Sequence, residues 1–432
     1  MKRRIAIAAA LAATLLGAAA CGDSGGTTAP STEGKVDGAG KTIKVWLMVD
    51  AESGWKKVVD DANARFKAET GADVKVEYQQ WANHLTKLDA TLAGAEVPDV
   101  VELGNTEFAK YVDAGAFAEL KKDEFENSST WLTGLSGACE LDGKTFCVPY
   151  YAGARVLIYR TDLFEKSKVE VPKTLAELKT AADKLESDNK DSKFGAFYIP
   201  TNWFMAFSFG QRSGGKIAVK EGDKWVGQMS QPAFQQGLQD WVDLHKAYSK
   251  ADPAKDENDQ AAIFAQGQAA MFYGNGWEKG SAEEIRKDPN DPESELVPTK
   301  VKGKLALAPM PEVPSFLGGS NLGVTQKSAN QALAAKWVKA FTDTKSMEGL
   351  IAANALPNST ALLDKAAAVE GMEATAQAAK NSWFPPNSAK WADVEKQTVP
   401  QTMLRDILTG KKTVQEATAW GDEQINTILN AS

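Results

Sequence analysis

Histidine is nearly absent from this chain: only His84 and His245 occur among 432 residues. A zinc site or a histidine-based triad is therefore poorly supplied. There is no Walker loop, no GxGxxG and no GxSxG, so no motif points to nucleotide or acyl-hydrolase chemistry. The acidic stretch from Asp252 to Asp259 lacks calcium-loop spacing and reads as a solvated loop. Beyond the N-terminus no apolar run is long enough to cross a bilayer. Basic residues are outnumbered, 49 Lys and Arg against 57 Asp and Glu, for a formal charge of −8. That balance argues against a nucleic-acid partner, which requires clustered cations.

What the N-terminus does contain is a targeting pattern. Lys2, Arg3 and Arg4 precede an apolar run from Ile5 to Ala20, which ends in three alanines before Cys21. A basic flank, a short apolar stretch and small residues describe a signal peptide over 1–20 rather than a membrane span. The cysteine directly after small residues looks like a bacterial lipobox, in which the Cys21 thiol would carry diacylglycerol; Ala18 stands where that motif prefers leucine. Removing the three leader cations lowers the formal charge of −8 by three, to −11. Residues 21–41 are rich in Gly, Ser, Thr, Ala and Pro and are expected to form a flexible tether.

Export implies oxidising surroundings, so Cys139 and Cys147 are expected to form a disulfide. The turn chemistry of Leu141-Asp142-Gly143-Lys144 between them predicts a hairpin. Equal spacing about Gly143 predicts a three- or five-residue loop, because a two-residue Asp-Gly turn would pair 139 with 146.

The length after the leader is too great for one core and predicts two lobes. Thr42–Val49 reads as a buried parallel strand, and Trp55, Val58, Val59, Ala62 and Phe66 follow at helical spacing up to Gly71. Val74, Val76 and Tyr78 alternate as a strand, giving a right-handed β-α-β unit. Leu85, Leu88 and Leu92 mark a second helix, and Pro98–Val101 a third strand. Capping boxes at Thr174–Glu177, Ser328–Gln331 and Thr413–Glu416 open helices. Strands are expected at Arg155–Tyr159 and Lys304–Ala308, and Gly318-Gly319 marks an interlobe strand or hinge.

On these residues the chain resembles a known family, the extracellular solute-binding proteins of family 1, which include maltose-binding protein. The carriers run in the family's order: Pro98-Asp99-Val100-Val101 with Tyr111, Gly115 and Leu120; Asp142-Gly143-Lys144 through Val148-Pro149-Tyr150 to Tyr159 and Leu163-Phe164; Phe264 through Met271 with Gly274-Asn275-Gly276-Trp277; Gly318-Gly319-Ser320-Asn321-Leu322; and Gly410, Val414 and Ala417. Arg160 departs from the family's usual asparagine. The resemblance implies an α/β, periplasmic-binding-protein-like fold: two α/β lobes, a hinge and an interlobe cleft. Lobe 1 would comprise 42–151 plus 319–362 and lobe 2 would comprise 152–318 plus 363–432, with crossings near Ala152, Gly319 and Leu362. It implies no chemistry and no cofactor. The protein would be a lipid-anchored monomer on the outer face of the cell membrane, passing its ligand to the permease subunits of an ABC importer.

A sugar offers apolar C–H faces and a rim of hydroxyls, which aromatic rings and carboxylates or amides match. The twelve tryptophans favour such a ligand over phosphate or amino acid. Trp55, Trp241, Trp337 and Trp420 fall on inward helical faces and are assigned to packing. Trp277 ends Gly-Asn-Gly-Trp and falls on the family's stacking tryptophan; Trp391 and Trp203 match segments that present aromatics in relatives. Tyr150 and Tyr151 lie at the first crossing, and one of them is expected to face the cleft. Polar groups are expected from loops after the lobe 1 strands: Asp50 and Glu52, Gln80 and Trp81, then Asn105, Thr106 and Glu107. Asn321 beside the crossing completes the set. Val45–Met48 and Val97–Thr106 look especially similar to lipoproteins that bind chitobiose or N-acetylglucosamine; maltose, cellobiose and trehalose binders share most of these features. The alternatives are a secreted glycoside hydrolase, whose paired carboxylates the acidic inventory would allow, and a binder of a non-sugar solute on the same fold.

Overall fold

The computed structural model describes residues 29–189, 191–257, 260–288 and 294–431. The expected leader and Cys21 lie outside the described residues. Nine strands form one mixed sheet: β1 (Thr42–Met48), β2 (Asp73–Gln79), β3 (Val100–Gly104), β4 (Val148–Arg160), β5 (Gly195–Tyr198), β6 (Ala269–Asn275), β7 (Leu305–Ala308), β8 (Ser315–Val324) and β9 (Ser382–Trp383). Their order is β2-β1-β3-β8-β4-β6-β5, with β7 also on β4 and β9 on β8.

The first lobe begins where hydrophobic periodicity places it. β1 is almost wholly buried, as a parallel strand covered on both faces should be. The helix Val49–Thr70 crosses over and turns Ala51, Val59, Ala62 and Phe66 inward before β2 pairs parallel to β1. β3 joins the other edge of β1, also parallel. Trp55 interrupts the helix with non-helical backbone angles and donates its indole N–H to the Tyr150 hydroxyl. Helix Gln331–Phe341 covers the sheet with Leu333, Trp337, Val338 and Phe341, all buried. Its expected capping box does not form: Asn330 is the N-cap, and the Ser328 hydroxyl is committed to Asp99 at 2.5 Å. The box at Thr413 and Glu416 is complete.

Two long strands join the lobes. β4 is 13 residues long. Its first half pairs with β8, and its second half pairs with β6 and β7. β8 lies antiparallel to β3 through Ser320–Val324 and to β4 through Leu317–Leu322. Because the crossing strands hydrogen bond to each other, the sheet is continuous between lobes. The second lobe packs helices Leu175–Asp188, Trp203–Gln211, Pro232–Tyr248 and Val414–Leu429 around an aromatic core.

The hairpin between the cysteines corrects the register expected from the sequence. Glu140 pairs with Thr145 and Leu141 with Lys144, leaving a two-residue turn. Asp142 and Gly143 both have positive φ, 51° and 76°, as a type I′ turn requires. Phe146, not Cys147, lies opposite Cys139 and donates its N–H to the Cys139 carbonyl at 2.8 Å. The sulfurs still meet at 2.09 Å, because Cys139 closes a 3₁₀ turn and is not bound by the strand's side-chain alternation. Local turn chemistry therefore overrode the symmetry of the cysteine spacing.

Residues 29–41, inside the segment expected to be a tether, make specific contacts. The carboxylate of Glu124 accepts from the Ser31 and Thr32 hydroxyls at 2.6 and 2.7 Å, and Gly38 N–H donates to Thr70 O at 2.9 Å. Thr32 is buried.

Candidate functional site

β3 ends against the middle of β8, where Gly104 pairs with Ser320 and the lobes meet. A cavity of about 340 Å³ opens there, lined by Asn105, Thr106, Trp203, Phe204, Phe316, Glu395 and Gln401. Lobe 1 contributes the loop after β3. Lobe 2 contributes the first turn of helix Trp203–Gln211 and residues of helices Trp391–Lys396 and Val399–Leu408, while Phe316 comes from a crossing strand.

The aromatic wall is built from the helix start at Asn202, whose Oδ1 accepts the Met205 N–H at 3.0 Å. This cap aims Trp203 and Phe204 out of the first turn. Their rings stack at 4.0 Å, and Phe204 meets Phe316 at 4.5 Å. Behind them Trp203 contacts Trp391 at 6.1 Å and Trp383 at 6.2 Å. The Arg155 guanidinium lies 3.9 Å over Phe204, held by Glu257 at 2.6 and 2.9 Å. An arginine fixed in this way covers one ring face by cation–π attraction.

Beside the cavity, lobe 1 carries a linked polar chain. The Trp81 indole donates to the Asp50 carboxylate, and the Trp81 carbonyl contacts His84 Nδ1 at 2.6 Å. His84 Nε2 lies 3.0 Å from Glu107 Oε2, which also accepts the Gly104 N–H at 2.9 Å. Burial pulls the His84 pKa down, but the hydrogen bond and charge of Glu107 outweigh it and leave the pKa raised. Asn105 uses both amide hydrogens, on Gly134 O at 3.0 Å and Leu317 O at 2.9 Å, which ties the β3 loop to the crossing strand.

Of the residues singled out from the sequence, Asn105, Thr106 and Trp203 line the cavity. Asp50, through Trp81, and Glu107 are joined beside it by His84, one of the two histidines that no sequence motif marks. Trp391 is buried behind the wall and donates its indole N–H to Glu395 at 3.1 Å. Trp277 is 69 % exposed and lies just past β6, whose last residue Asn275 pairs with Arg155 on the crossing strand. It is not part of the cavity lining. Glu52 and Gln80 are exposed and away from the lining.

Two expectations are corrected. Asn321 is fully buried, and its amide donates to Leu135 O at 3.2 Å; it is a strut inside lobe 1 because its strand position faces the core. Tyr150 is also fully buried, against Phe341 at 4.8 Å, so of the adjacent tyrosines Tyr151 is the accessible one. Glu395, Gln401, Phe204 and Phe316 were missed. The helices carrying Glu395 and Gln401 have ordinary amphipathic patterns, and nothing local marks which residue reaches the other lobe. Among the described residues no cluster of His, Cys, Asp or Glu could hold a metal ion.

Beneath the site, Glu102 of β3 is buried, its Oε2 accepting the Met48 N–H at 2.8 Å. Loss of hydration raises its pKa to about 7, aided by the charges of Asp50 and Glu107. A carboxyl raised on folding keeps its full contribution to stability below its unfolded pKa and loses it as pH rises through the folded value. Urea unfolding should therefore show wild-type stability declining between pH 4.5 and 8. Glu102→Gln should remove up to about 3 kcal/mol of that decline. An unchanged slope would place the titration elsewhere.

Comparison with known proteins agrees with this architecture. Residues 46–348 match the family described as bacterial extracellular solute-binding protein. The chain is 32 % identical over 430 residues to the diacetylchitobiose binding protein DasA of Streptomyces coelicolor, covering 96 % of each chain. Among solved structures, it resembles the GacH receptor of Streptomyces glaucescens, studied unliganded and with acarbose. The identity is 22 % and the TM-score 0.70, covering 91 % of this chain and 99 % of that one. It also resembles the sugar-binding protein MalE of Xanthomonas citri, at 18 % identity and TM-score 0.73, covering 90 % and 97 %. Two lobes joined by crossing strands, a ligand-sized space between them and a profile match over most of the sequence have one common account: the chain belongs to the bacterial extracellular solute-binding protein family.

Proposed function

We propose that this protein is the substrate-binding component of an ABC importer and that its ligand is a short oligosaccharide of the diacetylchitobiose type. The carrying observation is the interlobe cavity of about 340 Å³, with Trp203, Phe204 and Phe316 on one side and amide and carboxyl groups on the rim. Stacked rings match the apolar faces of a pyranose, and Asn105, Glu395 and Gln401 match its hydroxyls and substituents. DasA, similar over nearly the whole chain, is named for binding diacetylchitobiose. Trp277, exposed at the end of β6, adds a second stacking surface at the cleft mouth, and Asp50, Trp81 and Glu107 bind from lobe 1. Domain closure about β4 and β8 would bring these sets together.

In this reading Cys21 is acylated and anchors the mature chain, a monomer, to the outer face of the membrane, and Cys139–Cys147 forms in the oxidising exterior. Among the described residues no helix is long and apolar enough to cross a membrane. The permease subunits are the partners that receive the ligand.

Calorimetric titration with N,N′-diacetylchitobiose, cellobiose and maltose tests the proposal. Binding of at least one, best for the diacetyl sugar, is expected, with no hydrolysis in the same samples. Trp277→Ala should weaken the best ligand roughly 10–100-fold, the range of ~1.4–2.8 kcal/mol, while leaving the thermal midpoint unchanged because the side chain is exposed. Unaltered affinity would remove Trp277 from the site.

A further inference from the structure

Glu395 sits in the cleft under conditions unlike those of a hydroxyl-binding carboxylate. It lines the cavity from helix Trp391–Lys396, beside rings of Trp203, Phe204 and Phe316. Its Oε1 accepts the Trp391 indole N–H at 3.1 Å, and its Oε2 has no hydrogen-bond partner among the described residues. No cation lines the cavity. The charged group acting on it is Glu107, which belongs to lobe 1 and is linked to His84. On the helices packed against it, Asp406 is occupied by Lys411 and Lys412, and Asp422 by the backbone amides of Met229 and Ser230. Asp393 and Lys396 on its own helix, and Arg405 on the next, are exposed.

Resting on the sugar-binding reading above, we propose that Glu395 is a specificity-determining contact that works as an un-ionised acid, keeping Oε1 on Trp391 and donating its O–H from Oε2 to an acceptor-only oxygen of the ligand, the carbonyl of an N-acetyl group. A carboxylate accepts hydrogen bonds and a carboxylic acid can also donate one, so the protonation state selects the ligand chemistry. Hydroxyls satisfy either form. An acetamido carbonyl is served only by the acid, and an ammonium on a deacetylated sugar only by the anion.

Two causes favour the acid: burial against the aromatic wall and the like charge of Glu107. Together they push the Glu395 pKa up to about 7, despite the opposing indole hydrogen bond. Closure that brings lobe 1 toward lobe 2 would strengthen both. An acid that must keep its proton to bind makes affinity fall as pH rises past its pKa, approaching tenfold per pH unit.

The test is titration of full-length mature protein with N,N′-diacetylchitobiose from pH 5.5 to 8.5, in wild type, Glu395→Gln and Glu395→Ala, with thermal melts to verify folding. Wild-type affinity should be flat below pH 6 and fall by roughly tenfold or more between pH 6.5 and 8.5. Glu395→Gln, whose amide donates at every pH, should bind with the same affinity at pH 6 and pH 8.5. Glu395→Ala should bind weakly across the range. A flat or rising wild-type profile overturns the proposal. So does a Gln variant that keeps the slope, since the titration would then belong to another group such as His84. If the sugar binds and the profile is flat, the oligosaccharide reading stands and the role of Glu395 does not. If none of diacetylchitobiose, cellobiose or maltose binds at any pH, the oligosaccharide reading fails and takes the role of Glu395 with it.

Discussion

Gly319→Ala is expected to destabilise the protein by about 3–5 kcal/mol, whereas Gly153→Ala, nearly opposite on the neighbouring strand, should change stability by less than about 0.5 kcal/mol. Gly319 lies in β8 with φ of 139°, a conformation L side chains rarely adopt. A Cβ there would stand 2.1 Å from Tyr151 O, 2.9 Å from Ala152 Cα and 3.0 Å from Leu135 Cδ2. The first two are backbone atoms of β4, so relief means separating the paired strands on which both lobes hang. Gly153 has ordinary φ and nothing within 4 Å of a built Cβ. Chemical denaturation of both variants checks this. Equal effects would show that the crossing tolerates side chains and that the close approach at 319 is not a constraint.

Trp203→Ala should be comparably damaging, at about 3–5 kcal/mol, because it removes the centre of a buried aromatic cluster. Trp203 is only 5 % exposed and touches Phe204, Phe207, Phe316, Trp383 and Trp391 with ring centroids from 4.0 to 6.2 Å. The residual void would open into the interlobe cavity. Phe204 would lose its stacking partner, so ligand affinity should fall with stability. Trp203→Phe keeps an aromatic at the position and should recover much of the stability. The contrast with Trp277→Ala is diagnostic: a large melting shift is expected at the buried indole and none at the exposed one. A stable Trp203→Ala variant would mean that neighbouring rings collapse into the space.

Most of the framework was legible because its causes are local. Thr42–Met48, the Phe66 helix face, β2 and the helix bearing Trp337 follow from apolar spacing, and the last helix from its capping box. The hairpin register departs from the symmetry of the cysteine spacing because the Asp-Gly turn, with both residues at positive φ, fixes it locally. The Ser328 box failed for a tertiary reason: Asp99, a distant carboxylate, took the hydroxyl. The site was legible only in part. Asn105 and Thr106 follow a buried strand in the position where α/β proteins place ligand loops. Tyr150 and Asn321 occupy the expected crossings, yet face inward.

By itself the amino-acid order determined the elements, the α/β class, the two-lobe division and the family, since hydrophobic period, turn residues and ordered motifs survive without coordinates. Only the tertiary structure decided which indoles are buried and which are exposed. It also made His84 the link between Trp81 and Glu107, and placed Glu395 against an aromatic wall whose burial raises its pKa. Those properties depend on what distant segments bring against a side chain, and burial and electrostatics act through space rather than along the chain.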